Sequence, residues 1–86
     1  MEVDFHRIFL KQLERLPARV RVKFEQRLSL FLIDEFHPLL NNHPLTGEYA
    51  GKRSINVTGD YRAVYLHLTA HSVLFFAIGT HSQLYG

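Results

Sequence analysis

Cysteine is absent from the 86 residues, so neither a disulfide nor a thiolate metal site holds this chain together, which fits a reducing compartment. A long apolar run is missing too, since no stretch approaches the roughly 18 residues of a membrane span. The amino-terminal MEVDFHRIFL carries acids where a signal peptide carries bases, and its apolar run is broken at once. Internal repeats, low-complexity tracts and linkers are also lacking. These absences lead to the expectation of a single domain over residues 1–86, soluble, cytoplasmic and without a membrane partner. Excess charge of one sign is scarce as well: the formal net charge is +2, well short of a histone-like protein.

What is present is mostly apolar. Hydrophobic residues make up 47% of the sequence, ample for a globular domain and too many for a disordered one. A chain this short buries only roughly 60–65% of its unfolded surface, so nearly every large apolar side chain must join one core. Arginines outnumber lysines seven to three, and arginine is the better bidentate partner for phosphate.

Asp4 is the predicted N-cap of a first helix, along which Phe5, Ile8, Phe9, Leu13 and Leu16 recur every three or four residues. Pro17 ends it and opens a second helix as its first residue. That helix runs from Ala18 to about Glu35, with Val20, Phe24, Leu28, Phe31 and Leu32 on its inner face. Arg19, Lys23 and Arg27 form a basic ridge beside that face, read as a solvated surface. So short a connection makes the two helices an antiparallel hairpin. His37 and Pro38 break the pattern, and Leu39 to Tyr49 reads as loop. Lys52 to Thr58 alternates, with Ile55 and Val57 buried and Ser54, Asn56 and Thr58 on an open face. Gly59 is placed to supply a positive φ in the turn that follows. Two β-prone runs, Tyr61–Leu68 and Ser72–Ile78, then make a hairpin about Thr69, Ala70 and His71. The predicted fold is α+β: a helical hairpin packed on a twisted antiparallel meander, with room for a very short first strand at Met1 to Val3.

Adjacent antiparallel strands bring the start of one beside the finish of the next. Asp60, Arg62 and His81 therefore share one edge of the sheet, with Tyr85 just beyond it. An acid, a permanent cation, an imidazole and a phenol around one spot suit phosphate chemistry. His6, His37, His67 and His71 lack partners at ligand spacing and read as structural or surface residues. A zinc site from His43, Asp60 and His81 has no local ligand pair to support it, so no metal or other cofactor is expected.

Four pieces in order, HPLTG from His43, the GKR of Gly51 to Arg53, GDYRAVY from Gly59 and IGTHSQLYG from Ile78, resemble the RelE/ParE superfamily of bacterial type II toxin–antitoxin systems. The likeness is nearest to its YafQ-like branch of mRNA interferases. The resemblance implies a cytoplasmic toxin with two helices on a twisted sheet. It implies an endoribonuclease that cleaves mRNA in the ribosomal A site without a metal or cofactor. It also implies a cognate antitoxin as partner, the toxin being a monomer alone or part of a hetero-oligomer with it. Residue by residue, it implies a catalytic set of His43, Asp60, His81 and Tyr85, with Arg62, Arg53 and Lys52 toward phosphate. His81 is then the general acid, and His43 or Asp60 the base, because histidine exchanges protons near neutrality. Arg62, with Arg53, stabilises the phosphorane, and Tyr85 offers a face for a splayed base. The chain departs from better-characterised YafQ-like toxins where they carry an aspartate and a second histidine on the first meander strand. Ser54 and Asn56 stand there, and neither exchanges protons near neutral pH. Two other readings follow from the same resemblance: a ParE-like toxin that inhibits gyrase by binding, and a catalytically weak member acting through antitoxin or nucleic-acid binding.

Overall fold

The computed structural model describes residues 1–86. Along the chain run strand β1 (Glu2–Phe5), helices α1 (Arg7–Glu14) and α2 (Ala18–Ile33), strands β2 (His43–Pro44), β3 (Arg53–Asn56), β4 (Tyr61–Thr69) and β5 (Ser72–Thr80), and helix α3 (His81–Tyr85). The fold is α+β, as expected, with the helical hairpin on one face of a five-stranded sheet of order β1-β5-β4-β3-β2.

Several boundaries differ from the sequence expectation. Asp4 does not cap α1. It lies in β1 with Phe5, and the cap falls to His6, whose Nδ1 accepts the Ile8 N–H at 3.0 Å. Starting the helix at Arg7 turns Ile8 outward and leaves Phe9 as the buried residue of α1. Pro17 is the extended N-cap of α2, not its first turn. Arg21 seals the junction by donating to the carbonyls of Leu16 and Glu14. Helix α2 stops before Glu35, with Leu32 half-exposed and Leu30 packed against the core instead. The segment expected as loop holds two 3-10 turns (Pro38–Leu40 and Gly47–Tyr49) and β2. Gly59 does not adopt a positive φ; Thr58 Oγ1 makes the turn by accepting the N–H groups of Asp60 and Tyr61.

The sheet is mixed, because β1 runs parallel to β5, with Glu2 opposite Ser72 and Phe5 opposite Phe75. Beyond the end of β1, the Ile78 N–H is satisfied by Gln12 Oε1 of α1 at 2.9 Å. Beneath the helices, Phe5, Phe9, Phe24, Phe31, Tyr65 and Phe75 form a continuous aromatic cluster with ring centroids 4.9–6.4 Å apart. Each fully buried ring contributes on the order of 1.5–3 kcal/mol. This cluster is the main source of cohesion in a chain with no covalent staple.

The opposite face positions the site. An irregularity after Val64 leaves Val64 opposite Ala77 but Tyr65 opposite Phe75. Val64 and Ala77 thus point away from the helices, where Leu84 of α3 covers them. Ser54, opposite Val64, lies under the same cover and is wholly buried, so its strand face is not open as expected. Helix α3 folds back over the sheet through a capping box, with Thr80 Oγ1 accepting the Gln83 N–H and Gln83 Oε1 accepting the Thr80 N–H. Gly79 permits the close approach, since a Cβ there would lie 2.9 Å from Gln83 Oε1.

Candidate active site

An open cleft of about 880 Å³ lies on the face away from α1 and α2, walled by the Asn41–Tyr49 segment and by α3. His43, Arg62, His81 and Tyr85 all line it, so the topology gathers four of the sequence-predicted residues. His43 reaches it from β2, where it pairs with Ser54. The left-handed backbone of Asn41 (φ 45°) turns its carbonyl to within 2.8 Å of His43 Nδ1. A carbonyl only accepts, so Nδ1 carries a proton, and in the neutral ring the lone pair is on Nε2.

Arg62 is tied down by one nitrogen: Nη1 donates to the carbonyls of Thr58, Gly59 and Tyr61 at 3.0–3.2 Å. Those bonds fix the guanidinium over the β3–β4 turn and leave Nη2 and Nε for another acceptor. His81 opens α3 and is exposed. Its ring meets that of Tyr85 edge-to-face with centroids 4.8 Å apart, and Tyr85 meets Tyr49 likewise at 5.5 Å. Tyr49 also donates its hydroxyl to the Leu84 carbonyl at 3.0 Å, bracing α3 against the opposite wall. Three buried oxygens around this face, Ser54 Oγ, Asn56 Oδ1 and Tyr85 Oη, have no hydrogen-bonding partner in the protein.

Three predicted site residues are not brought into the cleft. The Asp60 carbonyl does accept the His81 N–H at 3.2 Å, so the strand ends meet as expected. The Asp60 carboxylate, though, stands exposed on the turn without a hydrogen bond and outside the lining. Arg53 alternates to the helix-packed face, where Nε donates to Asn42 Oδ1 at 2.7 Å and the guanidinium lies 5.2 Å over the Phe36 ring. Lys52 rests its ammonium 5.0 Å from the centre of the Phe76 ring. Residues that sequence reasoning missed are Tyr49, Gln83 and Asn41. Of these only Gln83 had a local signal, the Thr80-x-x-Gln83 capping pattern.

The segment carrying His43 is anchored through the sheet. Asn42 Nδ2 donates to the Tyr65 hydroxyl (2.7 Å) and to the Glu35 carbonyl (3.0 Å). Tyr65 donates in turn to Glu35 Oε2 (2.5 Å), which also lies 2.7 Å from His67 Nε2. Burial, then the bond to the Glu35 carboxylate, raises the Tyr65 phenol well above its ordinary pKa. Of the histidines read as structural, His6 and His37 cap helical turns, with His37 Nδ1 accepting the Leu39 N–H, and His67 joins this network. His71 is exposed.

No curated protein has a matching sequence. Solved structures do match. YafQ of E. coli superposes with a TM-score of 0.83 over 99% of this chain and 98% of its own, at 22% identity. The E. coli DinJ–YafQ toxin–antitoxin complex matches with a TM-score of 0.75 at 26% identity, covering 99% of this chain and 97% of that one. A YoeB/ParE toxin from Agrobacterium tumefaciens gives 0.78 at 22% identity, over 94% of this chain and 99% of its own. Residues 3–85 match the family described as the ParE toxin of type II toxin–antitoxin systems, so with the fold and the match agreeing over nearly its whole length, the chain belongs to that toxin family.

Proposed function

We propose that this toxin is an endoribonuclease that cleaves mRNA on the ribosome by attack of a ribose 2′-OH, with histidines carrying the protons. The observation that supports it is the meeting of His43, His81 and the pinned Arg62 in one open cleft. His43 Nε2 takes the 2′-OH proton as O2′ forms its bond to phosphorus. Arg62 offers its unbonded N–H groups to the charge that builds on the phosphorane, a position fixed before the substrate arrives. His81 gives a proton to the departing 5′-oxygen, leaving a 2′,3′-cyclic phosphate and a 5′-hydroxyl. Its edge contact with Tyr85 limits the ring's freedom. With Asp60 outside the lining and Ser54 and Asn56 unable to exchange protons, both transfers rest on the two histidines. Incubating the toxin with programmed ribosomes and mapping mRNA ends tests this reading, which requires 2′,3′-cyclic ends that vanish with His43→Gln.

The family match also supports a second reading, inhibition of gyrase by binding. Labelled methionine and thymidine uptake after induction separates the two: early loss of thymidine incorporation with mRNA intact favours gyrase.

The partner in this proposal is an antitoxin. E. coli YafQ, which shares the fold, is found complexed with DinJ. Leu32, Ile33, Phe36 and Leu39 here expose 50–84% of their surface at the carboxyl end of α2, an apolar surface for a partner segment to cover.

A further inference from the structure

We propose that the hydroxyls of Ser54 and Tyr85 form, with Arg62, a phosphate-binding floor that holds a non-bridging oxygen of the RNA backbone. The inference rests on reading the cleft as an RNA site and deepens it by assigning a role to two hydroxyls that the proton transfers do not use. Ser54 is wholly buried, yet its Oγ has no partner, and the Tyr85 Oη is buried and unpartnered as well. Both residues line the cleft that Arg62 lines.

A buried hydroxyl without a partner forfeits the hydrogen bonds it makes in water, so such groups are rare unless something else completes them. Here two of them lie at one cleft. Val64, the cross-strand partner of Ser54, packs against Leu84 with Tyr85 beside it, so strand β3 and helix α3 each bring one of these hydroxyl-bearing residues to the cleft. Each hydroxyl donates one hydrogen bond, and a phosphate oxygen accepts more than one. Arg62, whose Nη1 is committed to the turn, supplies the positive charge from Nη2 and Nε. Two neutral donors and a fixed guanidinium match a phosphodiester monoanion. Asn56 Oδ1, the third unpartnered atom, lies across from Arg62 in the β3–β4 register but outside the lining, and plays no part in the floor.

The test separates this floor from a structural role by reading stability and binding together. Ser54→Ala and Tyr85→Phe each delete one oxygen and little else. The probes are inorganic phosphate and an RNA trinucleotide with a 2′-deoxy substitution that makes it uncleavable, each titrated into the protein with the NMR signals of Arg62 and His81 followed. Both variants are expected to melt no lower than the unsubstituted protein, because each loses a buried polar atom that has no partner. Both are expected to bind the probes about 10- to 100-fold more weakly, the range for a hydrogen bond to a charged group. Binding within twofold of the unsubstituted protein overturns the proposal, as does the absence of phosphate binding in that protein. A fall in melting temperature that accounts for the lost binding also overturns it, because the hydroxyls are then structural and completed by buried water. Neither probe is cleaved, so these failures leave the nuclease reading to its own assay.

Discussion

Removing a single oxygen from Tyr65 should unsettle both stability and the distant cleft. Tyr65 is fully buried, and its hydroxyl donates to a largely buried carboxylate at 2.5 Å while accepting from Asn42 at 2.7 Å. Tyr65→Phe keeps the ring, and hence the packing on Phe31 and Phe75, and deletes both bonds. A hydrogen bond to a charged group contributes ~1.5–3 kcal/mol and a neutral one ~1 kcal/mol. Glu35 keeps His67 and Asn42 keeps the Glu35 carbonyl, so neither is stranded, and the net loss should be about 2–3 kcal/mol. For a chain of this size that lowers Tm by roughly 8–24 °C. Urea titration at pH 7 measures it, and a loss below about 0.5 kcal/mol refutes the reasoning. The sign of the pH dependence adds a second check. The folded phenol holds its proton more tightly than an unfolded one, so this stability is complete below about pH 10, the ordinary tyrosine value. It is lost as pH climbs from there toward the raised folded value. Unsubstituted protein should therefore lose stability above pH 10 faster than Tyr65→Phe, and the gap between them should close. Cleavage at neutral pH should fall as well, because Asn42 precedes His43.

Three further outcomes follow from the geometry. His81→Gln should slow cleavage by ~10²–10⁴, with melting changed by less than about 0.5 kcal/mol, and recover on a 5′-thio linkage whose leaving group needs no proton. Equal slowing on both linkages removes His81 from the acid role. Gly79→Ala should push Gln83 out of its bond to the Thr80 N–H, costing about 1 kcal/mol and more activity than that loss explains. An unchanged melting curve with full activity shows that α3 docking does not depend on this approach. Charging the exposed patch with Ile33→Asp and Phe36→Asp should leave folding intact and abolish copurification with the proposed antitoxin partner; retained copurification moves the partner's site elsewhere.

Pattern sufficed where a period ran long enough to register. The helical hairpin was legible because Val20, Phe24, Leu28 and Phe31 repeat over about three turns, and the β4–β5 hairpin because two apolar runs flank a short turn. That hairpin carried Arg62 to the same end of the sheet as His81. Strand β1 was legible only in part: a very short strand was expected at Met1 to Val3, but Asp4 and Phe5 read as the start of α1, and the partner strand lies about seventy residues away. Helix α3 is a single turn, too short for any periodicity, and without it Tyr85 was expected beyond the sheet and Ser54 in the open. Arg53 and Lys52 were named toward phosphate on the resemblance alone, which carries no geometry: Arg53 turns to the helix-packed face onto Asn42 and Phe36, and Lys52 lies over Phe76. The Asn42–Tyr65–Glu35–His67 chain joins three segments, and no local pattern announces such a meeting.

The parallel pairing of β1 with β5 bears on how the toxin comes into being. Glu2 to Phe5 find their partners only in Ser72 to Phe75, and His81 and Tyr85 lie further along still. Translation proceeds from the amino end at ~5–20 residues per second, so β1 waits several seconds, unpaired, for its neighbour to emerge. During that interval β5 and α3 have not been made, and the cleft has one wall and no His81. A nascent chain that has not yet exposed β5 and α3 thus lacks the assembled site that it is proposed to turn on the ribosome. The long-range closure that makes this fold slow to complete also defers the site until residue 85 has left the ribosome.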